Sequence, residues 1–261
     1  MKRIKRGIAG IFGIGIIVGI LLFCSGGYGD PFSEANARRQ ATAYAEKLYP
    51  EQSFKAQMVH YTAPFVYTVD VQSNESMDTY FSVKVTKWVQ VTDQLSETSK
   101  PEHERLVESA WNTSIRMGRE AAEQVEVILE RELPEYEFCS QYERGSRKVS
   151  VDIGYVPEKF EAQTDYREIP EQYREFLPLD CSFDPAVLQK IPAKLSVVIS
   201  WPTVPTETAL IKTLRKIKRV LEKNEIPISY YHVTLLYETE SGRKEDMKRI
   251  EADNVSAEQI G

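Results

Sequence analysis

The most conspicuous hydrophobic pattern in the chain is an uncharged apolar run near the N-terminus, from Gly7 to Cys24. At a rise of about 1.5 Å per residue, a helix of this length would extend roughly 27 Å, close to the thickness of a bilayer's hydrocarbon core. The basic residues Lys2, Arg3, Lys5 and Arg6 all precede the run. Because positive charge is retained in the cytoplasm, residues 1–29 are predicted to form a cytoplasmic tail and a single-pass membrane anchor. Everything after the anchor would then be extracytoplasmic.

Two other interpretations of this segment remain open. A cleaved signal peptide would use Ser25-Gly26-Gly27 as its cleavage site, although its apolar stretch is usually only about 7 to 15 residues long. A lipoprotein would carry its acyl chains on Cys24, although Phe23 stands where such a signal has a small residue. The length of the run favours the retained anchor.

The next pattern predicts a helix followed by an antiparallel sheet, together forming a domain of residues 30–95. Asp30-Pro31 is typical of a helix start, and Tyr49-Pro50 ends the helix after Leu48. Apolar residues then alternate with polar ones through Phe54–His60, Phe65–Val71 and Phe81–Val91. The helix is expected to cover the apolar face of the sheet.

A polar stretch at residues 96–100 marks the predicted start of a second domain, residues 96–261. Ser99 and Glu102 suggest a capping box that opens a long helix to Leu133, unless Gly118 bends it. Further strands are predicted at 136–140, 149–155, 195–201 and 229–237, with a helix from Thr206 and a frayed, polar tail after Thr239. The predicted fold class is therefore α+β: an N-terminal transmembrane helix followed by two small helix-on-antiparallel-sheet domains.

Several of these features together resemble a known family. The basic start and apolar helix lead into Gly29-Asp30-Pro31-Phe32, and Phe81-Ser82-Val83-Lys84-Val85 follows later. This arrangement resembles the YfjL-like membrane proteins of Gram-positive bacteria, over residues 1–95. The plan of the first domain is also similar to PepSY-type modules. The resemblance implies a location at the cell surface, and it implies no catalytic residues.

Composition and motifs exclude several classes of function. The net charge of −6 becomes −10 once the four basic residues of the tail are set aside, which argues against nucleic acid as a partner. His103-Glu104 lacks the second histidine of a metalloprotease motif, since Val107 stands there. The chain also has no serine-hydrolase motif, no phosphate-binding glycine loop and no Cys-x-x-Cys pair. We therefore predict no catalytic residues, no cofactor and no metal.

Two groups of residues remain of interest. Cys139 and Cys181 could form a disulfide in an oxidising compartment. Basic residues also follow one face of the last predicted helix: Lys212, Arg215, Lys216, Arg219 and Lys223. This face is either simply solvated, or paired with the glutamate-rich long helix, or in contact with an anionic envelope polymer or lipid headgroups.

Three functional hypotheses follow. The first is a non-enzymatic, membrane-anchored extracytoplasmic module that binds or regulates a protein or envelope polymer. The second is an envelope enzyme whose site combines dispersed carboxylates and tyrosines with His60 or His232. The third is a scaffold that assembles through its transmembrane helix, where Gly15 and Gly19 are spaced as in closely packed helix pairs.

Overall fold

The computed structural model describes residues 31–63, 66–86, 90–96, 99–140, 147–157, 169–237 and 247–260. The predicted anchor, residues 7–24, lies outside these ranges. Within them, no helix has both the length and the apolar character needed to cross a membrane. The chain divides into two compact units, Met1–Glu108 and Ser109–Gly261, each with mixed α and β structure. The coarse α+β prediction is therefore confirmed.

The first unit is one helix on a four-stranded antiparallel sheet. The helix is α1 (Pro31–Leu48), and the strands are β1 (Phe54–Ala63), β2 (Val66–Ser73), β3 (Tyr80–Thr86) and β4 (Val91–Thr92). The strands lie side by side in chain order. Burial alternates along β2 and β3, so one sheet face packs against the helix and the other faces solvent. The helix presents Ala37, Ala41 and Ala45, all fully buried, and their small side chains let it lie close to the sheet.

The second unit has a mixed sheet, in which one described strand pair is parallel and the others are antiparallel. Its main elements are α2 (Trp111–Glu132), β5 (Glu137–Cys139), β6 (Val149–Ile153), α3 (Glu171–Arg174), β7 (Ala193–Ser200), α4 (Glu207–Lys223), β8 (Tyr230–Tyr237), β9 (Lys248–Ser256) and α5 (Ala257–Ile260). The strand order is β5-β7-β8-β9, and β6 also pairs with β7. Strands β7 and β8 are parallel, because α4 connects them as a crossover.

The long helix starts later than predicted, because the proposed capping box does not form. Ser99 Oγ accepts a hydrogen bond from Ser96 N, and the Glu102 side chain instead binds Arg105. A short π-helical turn (Glu104–Glu108) follows, and Ala110, with a φ of 60°, separates it from α2. A left-handed residue cannot continue an α-helix, so α2 begins only at Trp111.

Gly118 does not bend α2, which runs unbroken past it. The structure gives this glycine a different role. A Cβ atom at position 118 would lie 2.4 Å from the carbonyl oxygen of Val151 in β6. Glycine is therefore required because the helix and the strand backbone approach each other so closely.

Residues 248–260 form a strand and a short helix, so the prediction of a frayed tail after Thr239 was wrong for this part of the chain. Strand β9 pairs with β8 along its length, and α5 follows it. Ile250, Ala252 and Val255 pack against the core from this strand. The segment seemed structureless in sequence because its other face is polar.

Candidate functional site

Helix α4 carries the basic residues that the sequence singled out. The hydroxyl of Thr206 accepts a hydrogen bond from Ala209 N at 3.2 Å and caps the helix, as predicted. An apolar stripe is buried in the core: Leu210, Leu214, Ile217 and Leu221. This arrangement exposes the opposite side: Lys212, Arg215, Lys216, Arg219 and Lys223.

Two of these five cations are paired with acidic residues. Lys216 forms an ion pair with Glu135, and Lys223 forms one with Glu132 at 2.8 Å. The hydrogen bonds from these lysines lower the pKa of both glutamates, and the bond that Lys216 donates to Glu135 raises the pKa of Lys216. The pairing between α4 and the end of the long helix was one of the predicted alternatives for this face. These pairs are exposed, so they contribute little to stability.

The remaining three cations form a surface that we call the basic groove: Lys212, Arg215 and Arg219. They line a cavity of about 630 Å³ together with Thr208, Ile211 and Lys216. Arg215 Nε donates to the carbonyl oxygen of Ile260 at 3.1 Å, which holds the guanidinium in place. Within the part of the chain that the structure describes, Lys212 and Arg219 have no acidic partner. The groove can therefore attract an anion from outside the described residues.

A second polar cluster lies on the sheet of the same unit, on the face away from α4. Lys194 Nζ donates to Asp253 Oδ1 at 2.9 Å and to Asn254 Oδ1 at 2.7 Å, and lies 4.7 Å from the centre of the Tyr155 ring. Its side chain is only 10% exposed, whereas that of Asp253 is 51% exposed. His232 Nδ1 lies 2.8 Å from the same oxygen of Asp253. A nearly buried lysine is thus held by a carboxylate that solvent can reach.

The electrostatics of this cluster favour an ionised Asp253. Burial alone would raise its pKa, but the hydrogen bonds from Lys194 and His232 outweigh burial and lower the pKa below the ordinary value. On its other side, His232 Nε2 lies 3.3 Å from Thr234 Oγ1. Asp253, His232 and Thr234 therefore form a continuous hydrogen-bonded chain.

Sequence reasoning named His232 but missed its partners. Lys194 and Asp253 are 59 positions apart in the chain, and their meeting depends on the order of the strands. Asn254 has a φ of 55°, at a point where β9 bulges and turns neighbouring side chains to one face. An Asp-Asn pair, which tolerates this conformation, was the one signal available in sequence.

A third cluster lies in the first unit, around Asp93. Its carboxylate accepts hydrogen bonds from Tyr44 Oη at 2.8 Å and from His103 N at 3.0 Å, and it contacts His103 Nδ1. Its side chain is 2% exposed. Burial, reinforced by Asp93, raises the pKa of Tyr44 to about 12. This cluster fixes the segment that follows β4, which is a structural role.

The sequence also singled out another histidine, two cysteines and two glycines. His60 lies on the exposed sheet edge, 3.7 Å from Asp70. Across the described ranges, no set of three or more His, Cys, Asp or Glu side chains is placed to hold a metal. Cys139 and Cys181 are both half-buried thiols, and the disulfide between them stays a prediction. Gly15 and Gly19 lie outside the described residues.

Residues 4–94 match the model of the YfjL-like N-terminal domain. The resemblance to the YfjL-like family is thus confirmed for that part of the chain, and the basic groove lies outside it. The likeness to PepSY modules stays a prediction.

The chain is similar to a DUF5037 family protein from Ruminococcus gnavus ATCC 29149, at 9% identity over 86% of this chain and 84% of that one. The TM-score of 0.20 is too low to support an argument from structure. The chain matches no curated protein.

Proposed function

We propose that this protein is a membrane-anchored, extracytoplasmic binding or regulatory module without catalytic activity, and that it contacts an anionic, phosphate-bearing component of the cell envelope. One observation carries the proposal. The basic groove sets Lys212 and Arg219 beside Arg215 in a shared cavity, and no described acidic residue neutralises the first two. The anchor at residues 7–24 would hold this groove at the outer surface of the membrane.

The charge distribution supports a local contact with an anion. The chain is acidic overall, with a net charge of −6, yet the groove concentrates cations on one side of one helix. Such a patch attracts anions over about a Debye length, roughly 8 to 10 Å at physiological ionic strength. Guanidinium groups also suit phosphate oxygens, because they donate two parallel hydrogen bonds.

Charge reversal in the groove tests the proposal. The double variant Lys212→Glu with Arg219→Glu should bind fluorescent polyphosphate at least tenfold more weakly than the wild type, since it replaces attraction by repulsion at two contacts. Fluorescence polarisation with the full chain in a zwitterionic detergent measures this. The matched control is Lys47→Glu with Lys55→Glu, which changes the net charge equally at exposed sites of the first unit. Equal loss in the control, or no loss in the groove variant, would contradict the proposal.

The membrane topology needs its own experiment. External protease added to intact protoplasts should digest the soluble region while residues 1–29 remain with the membrane fraction. A full-length protein that survives protease treatment would reverse the predicted orientation. A soluble product beginning near Tyr28 would instead indicate a cleaved signal peptide.

A second candidate function, an envelope enzyme, is favoured by one observation. Asp253, His232 and Thr234 are hydrogen bonded in series, as an orienting carboxylate, a base and a hydroxyl would be. In acyl transfer, the Thr234 oxygen would attack the acyl carbon and pass its proton to His232 Nε2. The leaving group would then take that proton, and water would release the acyl group by the reverse route.

Ester turnover distinguishes this candidate. Under it, the wild type should hydrolyse p-nitrophenyl acetate, His232→Gln should lose that activity, and Thr234→Ser should retain it. Far-UV circular dichroism checks that each variant remains folded. Turnover that is unchanged in His232→Gln would exclude this site.

A further inference from the structure

The buried side of α4 restricts what can occupy the basic groove. A helix that binds a membrane surface inserts its apolar face among the lipid headgroups and acyl chains. In α4 that face is already used, because Leu214, Ile217 and Leu221 are at most 4% exposed in the core of the second unit. Among the described residues that line the groove, the only large apolar side chain is that of Ile211, which is 47% exposed. One such residue provides little area for insertion into a bilayer.

The shape of the positive region is a second restriction. Lys212, Arg215 and Arg219 follow one side of a straight helix, so they extend over about 10.5 Å along its axis. Glu135 neutralises Lys216, which lies between Arg215 and Arg219 in the same cavity, and Glu132 neutralises Lys223, which follows them on the helix. The free positive charge therefore forms a short line. A line of cations suits a ligand whose negative charges also lie along a line.

The overall charge is a third restriction. The net charge of −6 would produce an overall repulsion between the chain and an extended anionic bilayer. A narrow strand can touch the groove alone. Arg215 is also held in place by the carbonyl of Ile260, and this bond occupies one of the five N–H donors of its guanidinium.

From these three restrictions we infer that the occupant of the basic groove is a linear polyanion whose phosphate groups repeat along its chain, and that it is not a bilayer surface. The inference rests on the proposed function, which requires only that the groove binds a phosphate-bearing anion. The polymer would lie along the axis of α4, with successive phosphates on Lys212, Arg215 and Arg219. Binding would then depend on the length of the ligand.

The test compares phosphate ligands of different length and origin. The full chain, in zwitterionic detergent, is titrated with orthophosphate, triphosphate and long-chain polyphosphate, at concentrations counted per phosphate group. Dihexanoyl phosphatidylglycerol monomers represent a lipid headgroup. Repeating the polyphosphate titration with the chain in phosphatidylglycerol or phosphatidylcholine nanodiscs represents a bilayer around the anchor. Each probe is repeated with Lys212→Glu plus Arg219→Glu and with the control Lys47→Glu plus Lys55→Glu.

The expected result is a rise in affinity of roughly tenfold or more from orthophosphate to the long chain, since three weak contacts act together. A plot of the logarithm of the association constant against the logarithm of the salt concentration should have a slope of about −2. This is the value expected when three phosphates of a single strand are neutralised and their counterions are released. The groove variant should lose this dependence on length, and the control should keep it.

The other outcomes separate the two proposals. Equal affinity per phosphate for all lengths would overturn the linear ligand and leave anion binding intact. Groove-dependent binding of the phosphatidylglycerol monomer, with polyphosphate binding lost in phosphatidylglycerol nanodiscs but kept in phosphatidylcholine nanodiscs, would also overturn it, in favour of lipid. If no phosphate probe binds in a groove-dependent way, the proposed function itself is wrong.

Discussion

Asp93 in the first unit and Asp253 in the second each receive a hydrogen bond from a histidine, but they differ in burial. The Asp93 side chain is 2% exposed and the Asp253 side chain is 51% exposed. The neighbours of Asp93 are Tyr44 and the backbone and ring of His103, whereas Asp253 holds a nearly buried lysine. A deeply buried carboxylate fixes a chain segment, and a half-exposed one can still meet a ligand or substrate.

The largest expected effect of substitution is in the buried cluster. Asp93→Asn should lower the free energy of unfolding of the first unit by about 3 kcal/mol, because an amide cannot accept all of the bonds that the carboxylate accepts. Urea denaturation measures the change, and hydrogen exchange with mass spectrometry assigns it to β3 and β4. The control Asp70→Asn, at a carboxylate that is 41% exposed, should cost less than about 1 kcal/mol. Equal costs would show that burial does not distinguish these carboxylates.

The second-largest expected loss of stability is at the contact between α2 and β6 in the second unit. Gly118→Ala should destabilise that unit by about 2 kcal/mol, because the added methyl group meets the Val151 carbonyl, although alanine favours a helix by about 1 kcal/mol. Gln124→Ala, at an exposed position of the same helix, is the control and should be neutral or slightly stabilising. A stabilised Gly118→Ala would mean that α2 and β6 separate easily.

A smaller effect is expected at the half-exposed carboxylate. Asp253→Asn should cost about 1.5 kcal/mol near pH 7, because Lys194 keeps Asn254 and the Tyr155 ring but loses its counterion. The pKa of Asp253 is lowered in the folded state, so its contribution is present above the unfolded pKa of about 3.9 and lost as pH falls through the folded value. The difference between wild type and variant should therefore be present near pH 7 and shrink below about pH 4.

A double-mutant cycle sharpens this result. Combining Asp253→Asn with Lys194→Met should cost less than the sum of the single changes, since the lysine that needs the carboxylate is gone. Additive costs would show that the two side chains act independently.

The smallest effect concerns Tyr44. Tyr44→Phe should cost about 1 kcal/mol near neutral pH through the lost hydrogen bond to Asp93. Burial and Asp93 raise the folded pKa of Tyr44 to about 12, so its contribution is complete below the unfolded pKa of about 10 and is lost as pH rises toward 12. The difference between wild type and Tyr44→Phe should shrink over that window in urea titrations. A difference that persists at pH 12 would contradict the hydrogen-bonded, neutral tyrosine.

The sequence by itself determined the elements whose signals are local. Alternation specified the faces of β2 and β3, and spaced apolar residues specified the buried sides of α1 and α4. The start of α4 was also predicted correctly, because the single side chain of Thr206 caps the helix. These features arise because a regular helix or strand buries one of its faces. The periodicity that marks this face can be read from residues that are close together in the chain.

The tertiary structure alone decided which distant segments meet. Asp93 accepts hydrogen bonds from the backbone N–H groups of Glu102 and His103, which displaced the predicted capping box. The pairing of β9 with β8 ordered a segment that was predicted to be frayed. The parallel β7–β8 pair and the bulge in β9 then brought Lys194, His232 and Asp253 together. Such contacts depend on strand order and register, which the hydrophobic pattern leaves open because many pairings bury the same apolar faces. For that reason the basic side of α4 could be predicted from its spacing, whereas the division into neutralised and unneutralised cations could not.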